Sequence, residues 1–199
     1  VAQVDKAWLS DYSEGVIALS GGREGDVGQA LISGNQDLAR ERLEFWMQTY
    51  PDSYYLELQR SGREHEELYL HAAVALAVEA NCPVAASNDV RFLEASEYEA
   101  HEARVCISEG RTLDDPRRAR VYSDQQYLKS PQEMAELFSD IPEALENTVE
   151  IARRCSVELE LGKPCLPDYP VPEGLTMEEF FARLSHEGLT TRLHKLFDV

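Results

Sequence analysis

The side chains best placed for chemistry are those of Asp89 and Arg91, which follow the apolar run of residues 82–86. An acid just beyond a buried strand is where α/β enzymes often hold a catalytic or metal-binding carboxylate. A metal site favours Asp-x-His or Asp-x-Asp, whereas Asp-x-Arg pairs an anion with a cation. Residues two apart on an extended segment project to the same side. The spacing alone allows a working carboxylate, the relic of a lost site or a cap, and the ordinary structural interpretation is an Asp89–Arg91 ion pair or a cap.

Glu57 is the second candidate, because it lies between apolar neighbours in the strand-like run SYYLELQ, residues 53–59. A carboxylate in a sheet that is covered on both faces needs a partner. The sequence therefore predicts a cation or a metal ion beside Glu57, with an ion pair as the ordinary structural alternative to a metal site.

The histidines do not add a recognisable metal motif. They show no HxH, HExxH or zinc-finger spacing, and they stand at positions 65, 71, 101, 186 and 194. His71 lies in an apolar helical pattern and is expected to be a packed core residue, whereas His101 is expected to face solvent or a pocket rim. A complete metal site is not expected from this chain alone.

The glycine-rich stretch SGGREGDVG, residues 20–28, raises the possibility of a phosphate loop. It matches neither GxGxxG nor GxxxxGK[ST], and Glu24 and Asp26 would repel a phosphate. The pattern is typical of a tight turn into a helix, with Asp26 as the N-cap and Arg23 free to point toward the strand ends.

Alternating strands and helices are predicted to position these residues. Short apolar runs predict three strands, at residues 15–20, 53–59 and 82–87. Apolar residues that recur with a period of 3.6 predict two intervening helices, at residues 37–50 and 66–80. This alternation is typical of a parallel α/β unit with right-handed crossovers. Since the carboxyl ends of parallel strands share one edge, residues 20–23, 57–60 and 88–91 are expected on one rim.

The second half of the sequence predicts capped helices. Ser96-x-x-Glu99 and Ser130-Pro131-x-Glu133 read as capping boxes, and Gly110 reads as a helix stop. A helix over 141–155 is expected to bury Ile141, Leu145, Val149 and Ile151 or Ala152. The proline-rich stretch 162–174 indicates a connector. Thr176-x-x-Glu179 opens a last amphipathic helix, with Leu175 and Phe180 as a hydrophobic staple, and its apolar face predicts a further domain.

Composition narrows the class of protein. The chain has 199 residues, 43% hydrophobic, and 19 basic against 37 acidic residues give a net charge of −18. Such a surface repels a phosphate backbone, so these residues are not expected to bind nucleic acid. No apolar run approaches the roughly 18 residues that span a membrane, and no secretory leader is recognised. Cys82 and Cys106 lie in apolar patterns, and buried, reduced thiols indicate a cytoplasmic protein.

Several consecutive blocks together resemble one protein family. The runs EGVIALSGGREGDVG, YLHAAVALAVEANCPVAASNDVRF, AHEARVCISEGRTLDDPRR and DIPEALENTVEIARRC resemble, in order and spacing, the bacterial replicative DNA polymerase III alpha subunits, which are C-family polymerases. The resemblance implies a fragment with the later half of a PHP (polymerase and histidinol phosphatase) domain, residues 1–165. Residues 166–199 would then be the connector and the first helix of the polymerase (palm) region. The implied fold is α/β, the later part of a distorted (β/α)7 barrel followed by a mainly helical extension.

The resemblance also implies the state of the PHP site. Family members with an intact metal centre carry Asp-x-His where this chain has Asp89-Val90-Arg91, and Glu57 falls near another site position. Arginine has no lone pair for a metal, so the resemblance implies a degenerate site at Asp89, Arg91 and Glu57, with no bound metal and no catalytic residue in the fragment. The polymerase carboxylates, and the Mg²⁺ that the parent polymerase uses, would lie outside this chain.

The function implied is that of a scaffold within a DNA-directed DNA polymerase. The fragment would stabilise the polymerase and dock partners such as the proofreading exonuclease and other replicase subunits, while the parent chain binds DNA. One alternative is a metal-dependent PHP phosphoesterase, either a 3′–5′ exonuclease or a pyrophosphatase. Another is an unrelated small α/β interaction module. Arg91 argues against the first, and the apolar last helix argues against the second.

Overall fold

The computed structural model describes residues 3–164 and 169–197. A three-stranded parallel sheet lies at its centre, in the order β1 (Ala18–Leu19), β2 (Tyr54–Gln59) and β3 (Val84–Ser87). Ala18 pairs with Tyr54, and Gln59 pairs with Ser87. The α/β class is therefore confirmed, and the three strands come in the predicted order. The seven-stranded barrel remains a prediction.

Helices connect the strands and cover the sheet. After α1 (Lys6–Asp11), a 3₁₀ turn (Gly22–Glu24), α2 (Asp26–Ile32) and α3 (Gln36–Thr49) link β1 to β2, and α4 (Glu66–Ala80) links β2 to β3. A second 3₁₀ turn (Ala95–Glu97) then leads into α5 (Tyr98–Glu109), which is followed by α6 (Pro131–Leu137) and α7 (Pro142–Arg154). Helix α4 packs on β2, and α7 packs on β3.

One hydrophobic core holds these elements together. Leu56 and Leu58 of β2 are fully buried, as are Leu43 of α3 and Phe138 after α6. Both faces of β2 are buried apart from Glu57, which is half-buried. A strand that is covered on both faces must satisfy every polar group internally. This explains why the polar residues of the sheet collect at the strand ends.

Capping explains most helix boundaries. Ser130 and Glu133 form the predicted capping box with Pro131 at the first helical position, and Gly110 adopts the predicted left-handed conformation after α5. The box predicted at Ser96 is wrong, because Glu94 and Glu97 form it two residues earlier.

Other local predictions are also wrong. Gly25, not Asp26, is the N-cap of α2. His71 is 78% exposed rather than packed, whereas His101 is buried against Phe92 and Tyr122. Val149 is exposed, whereas Ala144 is buried and Ile141 and Leu145 are partly buried against the core.

The described residues after the first unit form a separate compact unit. The first unit ends at Ser156 and the second begins at Val157. The boundary at 165/166 between a PHP domain and a polymerase region, which the resemblance implies, remains a prediction. Thr176 and Glu179 form the predicted reciprocal hydrogen bonds at the start of α8 (Met177–Phe197). Phe181, Leu189 and Leu196 on α8 are exposed. The assignment of this unit to a polymerase core remains a prediction, and Cys165 lies outside the described residues.

Two general features complete the fold. Among the described residues, no helix is long and apolar enough to cross a membrane. Cys82 and Cys106 are buried free thiols, as predicted, and Cys155 is an exposed free thiol.

Candidate functional site

The candidate site lies at the carboxyl ends of the three parallel strands, which we call the rim. The rim is formed by Ser20 after β1, Gln59 at the end of β2, and Ser87 to Arg91 at and after the end of β3. The Ser20 hydroxyl accepts a hydrogen bond from the Glu57 backbone N–H at 2.9 Å, which ties the end of β1 to β2. The predicted meeting of these three segments is therefore present.

Asp89 is held at the rim through both of its carboxylate oxygens. Its Oδ1 lies 2.8 Å from Nη2 of Arg91, while its Oδ2 lies 3.3 Å from Nη1 of Arg63 and accepts a hydrogen bond from Nε2 of Gln126 at 2.8 Å. The predicted Asp89–Arg91 ion pair is present. The segment is not extended as expected, because Asp89 has a φ of 43°, a left-handed conformation that Asp tolerates better than most residues. Both carboxylate oxygens are engaged by protein groups.

Arg91 is held from its backbone as well as its side chain. Its N–H donates to the Gln126 carbonyl at 2.8 Å, and its guanidinium lies 5.4 Å from the centre of the Tyr122 ring. Phe92 and Tyr127 form a parallel bridge next to this contact. The segment of residues 122–127 therefore closes over one side of the rim and orients Arg91 toward Asp89.

Glu57 has neutral partners instead of the predicted cation. Its Oε1 accepts hydrogen bonds from the Ser87 hydroxyl and, at 3.1 Å, from Nε2 of Gln59. The Tyr69 hydroxyl donates to the Glu57 backbone carbonyl at 2.7 Å. Burial raises the pKa of Tyr69, so this hydroxyl stays a protonated donor. Within the described chain, Glu57 forms no ion pair, and the side chains that donate to its Oε1 are the neutral groups of Ser87 and Gln59.

The sequence analysis missed Arg63, Glu66 and Gln126. Arg63 lies in the loop between β2 and α4, and its side chain is only 8% exposed. Glu66 is 3% exposed and accepts hydrogen bonds from the backbone N–H groups of Ser61 and Gly62, at 2.5 and 2.8 Å. The one available signal concerned Arg63, which lies in the loop just after β2, whereas Glu66 is the first residue of α4 and Gln126 lies between α5 and α6. No periodic pattern marks loop residues, so their burial could not be predicted.

The glycine-rich turn after β1 serves close packing. A Cβ on Gly25 would lie 1.7 Å from the Ser20 carbonyl oxygen, and one on Gly28 would lie 2.2 Å from the Gly22 carbonyl oxygen. Arg23 pairs with Glu24 at 2.9 Å and donates to the Glu64 carbonyl. The turn therefore needs glycine for the approach of α2 to the strand end, which supports the interpretation as a tight turn rather than a phosphate loop.

The rim does not fit a bound metal ion. A metal needs unshared carboxylate, imidazole or thiolate lone pairs, and the two oxygens of Asp89 already face two guanidinium groups and an amide. Arginine supplies no lone pair. Among residues 3–164 and 169–197, no group of three or more His, Cys, Asp and Glu side chains has a metal-binding arrangement. The contacts among the described residues cross-link the strand ends.

Comparisons with known proteins give the relationship of the chain. Residues 1–61 match the family model described as PHP domain. The chain is 55% identical over 193 residues, 97% of its length, to DNA polymerase III subunit alpha of Pseudomonas aeruginosa. It is 53% identical over 98% of its length to the subunit of the same name from Escherichia coli strain K12, and 50% identical to that of Vibrio cholerae. The family resemblance that the sequence indicated is therefore confirmed.

The match covers nearly all of this chain but only a small part of each relative. The chain covers 16% of the Pseudomonas aeruginosa protein and 17% of the Escherichia coli protein. It therefore corresponds to about a sixth of the length of these relatives.

Proposed function

We propose that this chain is part of the catalytic subunit of a bacterial replicative DNA polymerase, and that its own role is that of a scaffold without a PHP metal centre. The parent polypeptide would carry out template-directed DNA synthesis with Mg²⁺ held by carboxylates elsewhere. The similarity to DNA polymerase III subunit alpha over 97% of the chain supports the first part. The cross-linked rim at Asp89, Arg91 and Arg63 supports the second.

The charge of the chain supports a protein-facing role. With a net charge of −18, its surface repels the phosphate backbone, so we propose that DNA contacts lie in other parts of the parent polypeptide. We propose that the surface formed by residues 3–156 docks partner proteins such as the proofreading exonuclease subunit and other replicase subunits, in the cytoplasm. A basic partner surface would be steered toward it.

A metal titration of the full-length polypeptide tests the scaffold role. We expect the protein stripped of divalent ions to keep its thermal stability and to hydrolyse neither 3′-labelled single-stranded DNA nor pyrophosphate, with or without Mn²⁺ or Zn²⁺. Tight stoichiometric metal binding at the rim, abolished by Asp89→Asn, would instead support the phosphoesterase alternative. An Arg91→His variant serves as the companion, and we expect it to remain inactive because Arg63 still faces Asp89.

Hydrogen–deuterium exchange tests the docking role separately. The full-length polypeptide is compared with and without an equimolar proofreading exonuclease subunit. We expect slower exchange in peptides from residues 3–156. Binding of the exonuclease with protection confined to other parts of the polypeptide would show that this chain is not the docking surface.

A further inference from the structure

The buried cation of the rim is Arg63, and it contacts four separate segments. Its Nη1 lies 3.3 Å from Oδ2 of Asp89 after β3 and 3.8 Å from Oε1 of Glu24 in the first 3₁₀ turn. Its Nε lies 3.8 Å from Oε1 of Glu66 at the start of α4. Its Nη2 donates to Oε1 of Gln59 at the end of β2, at 2.8 Å. One side chain therefore links the ends of all the segments that build the rim.

The charges around Arg63 explain why this position needs a permanent cation. Three carboxylates, those of Glu24, Glu66 and Asp89, face the guanidinium, and Glu66 is almost fully buried. Buried carboxylates without a compensating charge are costly. Arginine stays protonated at every physiological pH and presents its donors in a rigid planar fork. A lysine would supply the charge but only as a single point, so it could not reach all four segments.

A metal ion and this guanidinium compete for one space. Carboxylate oxygens bind a divalent ion at about 2.0 to 2.6 Å. In this rim the oxygens of Glu24 and Asp89 instead stand 3.8 and 3.3 Å from one guanidinium nitrogen that lies between them. A metal at that point would require Arg63 to leave and to give up its hydrogen bonds to Gln59 and to the Ser61 hydroxyl, the latter at 3.0 Å.

We infer that Arg63 is the resident cation of this PHP rim: its guanidinium takes the place of a metal ion and holds the four rim segments together. Arg91, which the sequence pattern singles out, has a side chain that is 43% exposed, and in the described chain its contacts are an ion pair with Asp89 and the face of the Tyr122 ring. Arg63 is the more deeply buried group and the one with contacts on every side. The inference deepens the proposed scaffold role and rests on it, since it names the residue that makes the scaffold independent of metal.

Hydrogen–deuterium exchange of the full-length polypeptide tests this inference. In Arg63→Ala we expect exchange to accelerate by about tenfold to about a hundredfold in peptides over residues 20–28, 57–66 and 87–92, because several charge-assisted hydrogen bonds are lost together. Arg40→Ala is the matched control, since Arg40 pairs with Asp37 and Glu79 at the surface. We expect that variant to leave all three peptides unchanged.

Chemical rescue separates the specific role of the guanidinium from simple loss of packing. Millimolar guanidinium chloride is expected to slow exchange again in Arg63→Ala, whereas equal sodium chloride has no effect. If Arg63→Ala does not fold, Arg63→Lys is used, and we expect faster exchange in residues 20–28 and 57–66 because the lysine keeps the charge but loses the fork. Unchanged exchange in the variant that folds, or no rescue by guanidinium, would overturn the inference.

Exchange of the wild-type protein with and without metal distinguishes a failure of this inference from a failure of the proposed function. If Zn²⁺ or Mn²⁺ altered exchange at the wild-type rim, both the metal-free scaffold and Arg63 as resident cation would be wrong. If metal did not change exchange in the wild type and the Arg63 variants also exchanged like the wild type, only the role proposed for Arg63 would be wrong.

Discussion

Replacing the buried Glu66 by glutamine should destabilise the chain strongly for so small a change. The carboxylate accepts three hydrogen bonds from the loop that carries Arg63, from the Ser61 and Gly62 N–H groups at 2.5 and 2.8 Å and from the Ser61 hydroxyl at 2.7 Å. A hydrogen bond to a charged group contributes about 1.5–3 kcal/mol and a neutral one about 0.5–1.5 kcal/mol. Weakening three such bonds by about 1 kcal/mol each predicts a loss of about 3 kcal/mol in Glu66→Gln.

The geometry adds a second cost of the same sign. The amide can turn its oxygen toward the two backbone N–H groups, but its NH₂ group then faces Nε of Arg63, where the carboxylate Oε1 stood at 3.8 Å. Two donors then face each other, and the remaining carboxylates alone must compensate the guanidinium. The predicted loss therefore does not depend on removing any packing volume, because glutamine and glutamate are nearly the same size.

Urea unfolding followed by tryptophan fluorescence measures the effect. Glu67→Gln is the control, because Glu67 is the next residue on the same helical turn and is 62% exposed, and its carboxylate oxygens lie 3.4 Å from Nε of Arg60 and 3.8 Å from Nε2 of His71. We expect Glu67→Gln to change the free energy of unfolding by less than about 0.5 kcal/mol, as surface pairs usually do. A Glu66→Gln value equal to that of the control, with the same dependence on urea, would refute this account of the loop.

Three further predictions concern the turn, pH and a thiol. Gly25→Ala should lower the free energy of unfolding in urea by about 3 kcal/mol, because the new Cβ would lie 1.7 Å from a backbone carbonyl oxygen. The control is Gly188→Ala, in open space within α8, which should leave the free energy of unfolding unchanged or raise it. Bidentate pairing with Arg60 lowers the pKa of Asp140 from 3.8 to about 2. The pair therefore contributes stability at pH values above the unfolded pKa, and this contribution is lost as the pH falls toward 2. A double-mutant cycle should show a coupling free energy between Arg60 and Asp140 that is constant above about pH 5 and decreases below it. Burial raises the pKa of Cys82 to about 11, so a thiol reagent at pH 8 should modify it only after denaturation, and rapid labelling of the native chain would contradict its burial.

The secondary structure followed from local patterns in most places. Helix α4 runs over the predicted residues 66–80, and β2 begins one residue after its predicted start, because long apolar periodicities and caps act within a few residues. The failures have particular causes. The apolar helix around His71 predicts a packed side chain, but the position of His71 on that helix faces solvent. The expectation that His101 faces solvent or a pocket rim is wrong because Phe92 and Tyr122 pack against its ring.

The candidate site was only partly predictable, because sequence patterns report local spacing and not contacts between distant segments. Asp89 and Arg91 are only two residues apart, so the sequence could indicate their pairing, although the extended backbone from which it was predicted is absent at Asp89. The neutral partners of Glu57 come from its neighbour Gln59 and from the adjacent strand, and the sequence alone could not tell them from a cation.

The alternation of strands and helices, the acidic surface and the arginine beside Asp89 could all be predicted from the sequence. The cation that fills the rim could not be predicted, because it is identified only by the way distant segments pack. Arg63 reaches Asp89, Glu24 and Glu66 because the β2–α4 loop, the turn after β1 and the end of β3 converge at one edge of the sheet. Loop side chains have no periodic signal, and their burial follows from how distant segments pack. The sequence shows that residue 63 carries a positive charge, but only the fold shows that this charge lies at the centre of the rim.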